Sequence, residues 1–389
     1  MMKNEMKKHG RRAMMLWLAC LMAAQALFGF APALAEDGAA LPEVTELGVI
    51  HELEFGGVYI TMSIEELNAR GFAFGDSVTV AFSNGYTLED IPYYNGYYTR
   101  NGDPLLIGYP GYDYIKACIN NGDDLWVKAG LDESCTARIA LKEKGKYLDI
   151  QEARNLHYED DRSLFESDVV FANFRNFHVG NIREGLLYRS ASPCDNQHNR
   201  AAYSDALIAD AGVRFILNLA DTDEKMKGYI AREGFNSPYF LSLYQEGKVH
   251  PLAMNMNFGS DEFRGKAVEG LRAMLNNEGP YLIHCTEGKD RTGFMCMLVE
   301  ALCGASYEEI VDDYMITYNN YYGITKESEP KKYETIVRDV LEPMIRVLTE
   351  DDPDVDLKTA DLAEYARGFL KKAGMSEDEI TRLTEKLTK

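Results

Sequence analysis

The sequence predicts an α/β fold, a mainly parallel sheet flanked by helices, preceded by a small β-domain. Three observations carry that reading. The chain has 389 residues, more than one ordinary domain of roughly 100 to 200 residues needs. Turn signals crowd the stretch from about Val44 to Ile139, and from about Asp161 onward short apolar runs alternate with helical spacing. A composition 46% hydrophobic and 26% charged is that of a folded globular chain rather than a disordered or membrane-embedded one. The predicted organisation is a signal peptide at 1–35, the β-domain at 36–150 and the α/β domain at 151–389.

The first segment combines a basic start (Lys3, Lys7, Lys8, Arg11, Arg12), an apolar run from Ala13 to Phe30 and the small-residue site Ala33-Leu34-Ala35. That is the pattern of a cleaved secretory signal, so the protein is expected to be secreted or held in the cell envelope and to meet the membrane only transiently. Cleavage removes five basic residues and Glu5, moving the formal charge from −21 to −25. A chain that acidic repels nucleic acid, so no nucleic-acid partner is expected, and an anion site must build its positive potential locally. Six cysteines follow the signal, among which Cys118 and Cys135 are the candidate bridge. No Cys-x-x-Cys or His-x-x-x-His cluster occurs, so neither a metal nor another cofactor is expected.

In the β-domain the turn signals are mostly Asn-Gly: Asn84-Gly85, Asn95-Gly96, Asn101-Gly102 and Asn121-Gly122. Asn-Gly supplies the two positive-φ positions of a tight hairpin. Pro92 to Thr99 reads as two aromatic arms around such a turn, and Ser77 to Phe82 alternates with period two. Eight of the 24 tyrosines fall between Tyr86 and Tyr114, either covering a small sheet or forming an aromatic ligand face. The run Leu88 to Pro92, Gly102 to Gly111 and Cys118 to Gly122 resembles the C-terminal β-barrel of the S-adenosylmethionine hydroxide adenosyltransferases. That resemblance implies a barrel-like fold and, lacking that family's larger domain, no chemistry.

In the second half Gly212 to Leu219 and Pro238 to Leu243 read as buried strands. Phe263 to Leu275 has helical spacing and leads into the apolar Tyr281 to Ile283. Ser306 with Glu309, and Ser376 with Glu379 after Gly374, are capping boxes that open helices. Strands alternating with helices predict the parallel sheet.

The segment that carries chemistry follows the last strand: His284-Cys285-Thr286-Glu287-Gly288-Lys289-Asp290-Arg291-Thr292-Gly293. A strand-loop-helix turn here aims the backbone N–H groups from Thr286 to Arg291 into one concavity at a helix N-terminus, an anion site. Gly288 permits the backbone that closes the cradle. Arg291 grips two phosphoryl oxygens bidentately. The same field favours Cys285 as thiolate nucleophile, Thr292 is placed to donate to its sulfur, and His284 to brace the loop. A nucleotide-binding P-loop is excluded, because no Gly stands five residues before Gly288 and Asp290 occupies the Ser/Thr position.

These residues resemble the bacterial atypical protein tyrosine phosphatases, some of which act on phosphoinositides. Asn173-Phe-Arg175, Gly185 to Ala191, the Val213 strand, Asp313-Tyr314 and Ala373 to Leu383 follow in the family's order. The usual Arg after the Val213 strand is absent, Asn218-Leu-Ala-Asp221 standing there. The resemblance implies a cysteine-phosphatase fold. Arg175 and Arg189 read either as substrate-steering groups or as structural ion pairs. The mobile Trp-Pro-Asp loop that supplies the general acid in many relatives has no counterpart, since Trp17 lies in the signal and Trp126 in the β-domain. Asp290, inside the cradle, is the preferred acid, and Asp261, roughly where that loop would lie, the alternative.

The expected function is phosphomonoester hydrolysis through a cysteinyl-phosphate, with phosphotyrosine proteins as first substrates and phosphoinositides or inositol polyphosphates as the alternative. Lys289 is the cation that decides between them, either pairing a second phosphate or bridging Glu287 and Asp290. A binding module with a degenerate phosphatase domain is the rival of another class.

Overall fold

The structure, a computed structural model, describes residues 41–389; the expected signal peptide lies outside the described residues. Glu43 to Lys389 form one compact unit. Its first part is a closed barrel of seven strands: β1 (Glu43–Glu52), β2 (Gly57–Ile60), β3 (Ser77–Phe82), β4 (Thr87–Tyr94), β5 (Pro104–Ile107), β6 (Ile115–Ile119) and β7 (Thr136–Glu143), joined in the order β1-β2-β6-β5-β4-β3-β7. Val78, Val80 and Phe82 of the alternating β3 all face the barrel core, as period-two patterning requires.

Asn84-Gly85 turns β3 into β4, but only its glycine has positive φ (94°), and Asn121 is positive where Gly122 is not. None of the four Asn-Gly pairs is therefore the mirror-type turn expected of them. Nor do the tyrosines flanking Asn95-Gly96 form a hairpin, because β4 runs parallel to β5. Parallel neighbours need a crossing connection, so residues 95–103 form a loop at one end of the barrel. Tyr93 and Tyr94 are buried, and the Tyr97 ring lies 5.3 Å from Lys116 Nζ, itself buried and paired with Glu52 at 3.1 Å. Cys118 and Cys135 are free. They belong to separate apolar clusters, which is why the expected bridge does not form.

The helix Leu148–Arg154 leaves the barrel and leads to a five-stranded sheet of β8 (Arg175–Asn176), β9 (Leu187–Ser190), β10 (Phe215–Asn218), β11 (Val249–Pro251) and β12 (Tyr281–His284), in the order β11-β10-β12-β9-β8. All pairings are parallel except β8 with β9. Side chains alternate between two apolar clusters. Phe215, Leu217, Tyr281 and Ile283 pack with Phe263 and Phe294 of the helices Asp261–Asn276 and Asp290–Leu302. Ile216 and Leu282 pack with Ile208, Met226 and Phe240. Each of these fully buried side chains contributes about 1.5–3 kcal/mol.

Pro238 to Leu243, expected as a strand, is instead the start of the helix Pro238–Gln245. Proline fits the first helical turn, and Phe240 and Leu243, three apart, bury one face. A short apolar run does not separate strand from helix by periodicity. The strand in this region is β11. The capping boxes at Ser306 and Ser376 are present.

Candidate active site

Cys285 follows the end of β12, and the loop runs through Gly288 into the helix Asp290–Leu302, whose residues from Thr292 to Leu302 are all buried. Gly288 has φ +67°, and a Cβ there would stand 2.2 Å from the Ser190 carbonyl oxygen. No other residue fits, for conformation and for space alike.

Four successive carbonyls of the loop are tied to the protein around it. Cys285 O lies 3.1 Å from His284 Nδ1. Thr286 O accepts from the Ser192 amide at 3.0 Å, and Glu287 O from the Tyr321 hydroxyl at 2.6 Å. Gly288 O accepts from Arg189 Nη2 at 3.1 Å and Asn173 Nδ2 at 3.3 Å. The amides from Thr286 to Arg291, by contrast, find no acceptor among the described residues. With the carbonyls turned outward, those donors are left for an anion.

Arg291 donates from Nη1 to Met254 O at 3.3 Å and from Nη2 to Thr286 Oγ1 at 3.5 Å, which sets its guanidinium beside the loop. Thr292 Oγ1 is buried without a hydrogen-bond partner among the described residues. His284 is fully buried, and burial pushes its imidazole down to about 4 against the pull of the Cys285 carbonyl, so it is neutral at physiological pH. Arg175 and Arg189 both pair with Asp313, at 2.9 and 2.7 Å. They are parts of the scaffold that grips the Gly288 carbonyl and its neighbour Asn173.

The rim is a charge network. Lys289 Nζ stands 3.5 Å from Glu287 and 3.8 Å from Asp290, between the rings of Tyr158 and Tyr322 at 5.1 and 5.9 Å. Burial works against its charge, but Asp290 and the neighbouring tyrosines and Glu287 hold it well above the ordinary lysine range. Glu287 also accepts from the Tyr158 hydroxyl. Burial opposes its ionisation, yet His198, Lys289 and Tyr158 pull its carboxyl down to about 2. Sequence reasoning missed Tyr158, His198 and Tyr321, whose approach to the loop has no local signature.

His198 lies 3.7 Å from Glu287 and 3.0 Å from Asp160. Glu287 first, then Asp160, raise its pKa, with burial opposing. A raised folded-state pKa means stability that is full below the unfolded value of about 6.5 and lost as pH rises through the folded one. His198→Gln should therefore lower the melting temperature more at pH 5.5 than at pH 8.5. A pH-independent difference would remove His198 from this network.

The two candidate acids are placed differently. The Asp261 side chain is fully exposed, beside Arg264 at 3.3 Å. The Asp290 side chain is 30% exposed and lines a cleft of about 800 Å³ next to the loop. Among the described residues no group of three or more His, Cys, Asp or Glu side chains is placed to hold a metal ion, and no helix is long and apolar enough to cross a membrane.

Comparison with known proteins gives a family. A tyrosine-protein phosphatase of Nostoc commune is 33% identical over 207 residues, 47% of this chain and 68% of that protein. Among solved structures, the core catalytic domain of the PP-IP phosphatase SIW14 from S. cerevisiae is 20% identical, covering 46% of this chain and 92% of its own, with a TM-score of 0.25. TpbA of P. aeruginosa is 18% identical, with 50% and 92% coverage and a TM-score of 0.21. The model of the tyrosine phosphatase family matches residues 171–389, more than half of the chain, and the chain belongs to that family.

Proposed function

We propose that the protein is a cysteine-dependent phosphomonoesterase acting first on phosphotyrosine. The observation that carries this is the loop whose carbonyls are all tied outward while its amides stay unpartnered around Cys285 and Arg291. In the first step Cys285 Sγ bonds to phosphorus as the leaving oxygen departs and takes a proton from Asp290. In the second, water gives a proton to the now ionised Asp290 and attacks phosphorus, the S–P bond breaks and inorganic phosphate leaves, with the Thr292 hydroxyl donating to the released thiolate. Arg291 and the loop amides hold the equatorial oxygens, which carry the charge of the transition state.

Phosphoinositides and inositol polyphosphates come second, because Lys289 is held by Glu287 and Asp290 rather than left for another phosphate. The degenerate-domain reading loses to the presence of Cys285, Arg291 and Thr292 together. The first 35 residues support export to the envelope or medium, and the sequence likeness of the barrel to the adenosyltransferase barrel supports a common fold for that part. The purified protein should hydrolyse para-nitrophenyl phosphate and phosphotyrosine peptides in excess EDTA. Activity that appears only on adding back a divalent cation would overturn the mechanism.

A further inference from the structure

The cleft beside the catalytic loop has two owners. One wall is Lys289 and Asp290 with Tyr318 and Tyr322, and the facing wall comes from the barrel, chiefly the 95–103 loop with Tyr98, Arg100 and Asn101. Asn121 donates to Asn101 at 2.8 Å, and Asn101 in turn donates to Asn257 of the segment before the helix Asp261–Asn276, at 3.3 Å. Behind the loop, Asn95 is bonded to Gln151 at 2.7 Å and Asn155 at 3.0 Å, so the barrel loop is fixed at both ends against the catalytic body.

A general acid must lie within hydrogen-bond reach of the leaving oxygen. Asp290 lines the cleft while Cys285 and Arg291 do not. A phosphate seated on Cys285 therefore directs its ester oxygen, and everything attached to it, toward the cleft and the barrel. We propose that the 95–103 loop is the specificity wall of the enzyme, and that a phosphotyrosine-bearing polypeptide segment lies between it and the catalytic loop.

The chemistry of the walls selects that class of ligand. Volume is ample, since pockets of roughly 300–1,000 Å³ hold whole ligands rather than one ring. The cations Arg100, Arg154 and Lys289 are outnumbered by the carboxylates of Asp103, Asp290, Asp339 and Asp351. A densely phosphorylated small molecule would face more repulsion there than a peptide carrying one phosphate and a single acidic side chain. A peptide suits it better: the amide side chains of Asn101, Asn120, Asn121 and Asn257 offer both donors and acceptors to an extended backbone. Arg100 is exposed and has no ion-pair partner among the described residues, which leaves it for an acidic side chain beside the phosphotyrosine.

This inference rests on the proposed function, and its test separates the two. kcat/KM is measured for para-nitrophenyl phosphate, an acidic phosphotyrosine peptide and inositol hexakisphosphate, with wild type, Arg100→Ala and Arg100→Glu. The ratio of peptide to aryl phosphate should fall about tenfold in Arg100→Ala and further in Arg100→Glu, as losing and then reversing a charge-assisted contact requires. In the Cys285→Ser background, peptide affinity measured by calorimetry should fall in parallel. A ratio that stays within twofold overturns the barrel's role while leaving the phosphatase intact. A fall confined to inositol hexakisphosphate overturns the peptide assignment. Wild type inert toward all three esters removes the proposed function, and this inference with it.

Discussion

Cys285→Ser should lose turnover by on the order of 10⁴-fold or more, about 5.4 kcal/mol of barrier, while still binding vanadate or inorganic phosphate. The first half follows from the chemistry: a serine hydroxyl is a far poorer nucleophile than a cysteine sulfur and no general base stands assigned to activate it. The second half follows from the geometry. Ser192, Tyr321, Arg189 and Asn173 hold the loop carbonyls from outside, and none of those bonds involves Sγ. The amides and Arg291 therefore keep their positions when sulfur is replaced by oxygen. Steady-state kinetics on an aryl phosphate gives the first quantity and calorimetric titration with vanadate the second. Residual turnover within tenfold of wild type would remove Cys285 as nucleophile, and lost anion binding with retained turnover would place the phosphate elsewhere.

The parts of this molecule that were legible in its sequence are those where chemistry is local. The strand–loop–helix turn from His284 to Gly293 reads directly because its cysteine, glycine and arginine are contiguous, and the boxes at Ser306 and Ser376 because a cap and its partner are three residues apart. The alternating β3 was equally plain. What could not be read depends on which distant surface a segment meets. Pro238 to Leu243 suits a strand as well as a helix until its Phe240–Leu243 face finds the sheet. The tyrosines around Asn95-Gly96 suit a hairpin until β4 is seen parallel to β5. Glu287 looks like a spacer in the motif, yet the fold sets Tyr158 and His198 on it from far along the chain. The barrel loop's place at the cleft is of the same kind, since no property of residues 95–103 announces a neighbour near 289.

Asp290→Asn should lower kcat by about 10²–10⁴-fold on substrates whose leaving group needs a proton, and should flatten the basic limb of the pH–rate profile. Asp261→Asn should leave both nearly as they are. The sequence offered these two carboxylates for one task, one fixed by the motif and one by its place ahead of a helix. The structure separates them by environment. Asp261 is wholly solvated at the start of the helix Asp261–Asn276, paired among the described residues with Arg264, and a group so placed is not held toward a leaving oxygen. Asp290 begins the helix that the cradle runs into, faces the cleft and lies 3.8 Å from the Lys289 ammonium. Para-nitrophenolate leaves readily without a proton, so the Asp290→Asn loss should be smaller on the aryl ester than on a phosphotyrosine peptide, a split that simple misfolding would not produce. Profiles for both variants on both substrates decide the matter. If the basic limb vanishes only in Asp261→Asn, the segment before that helix must close over the site during turnover, and the assignment passes to Asp261.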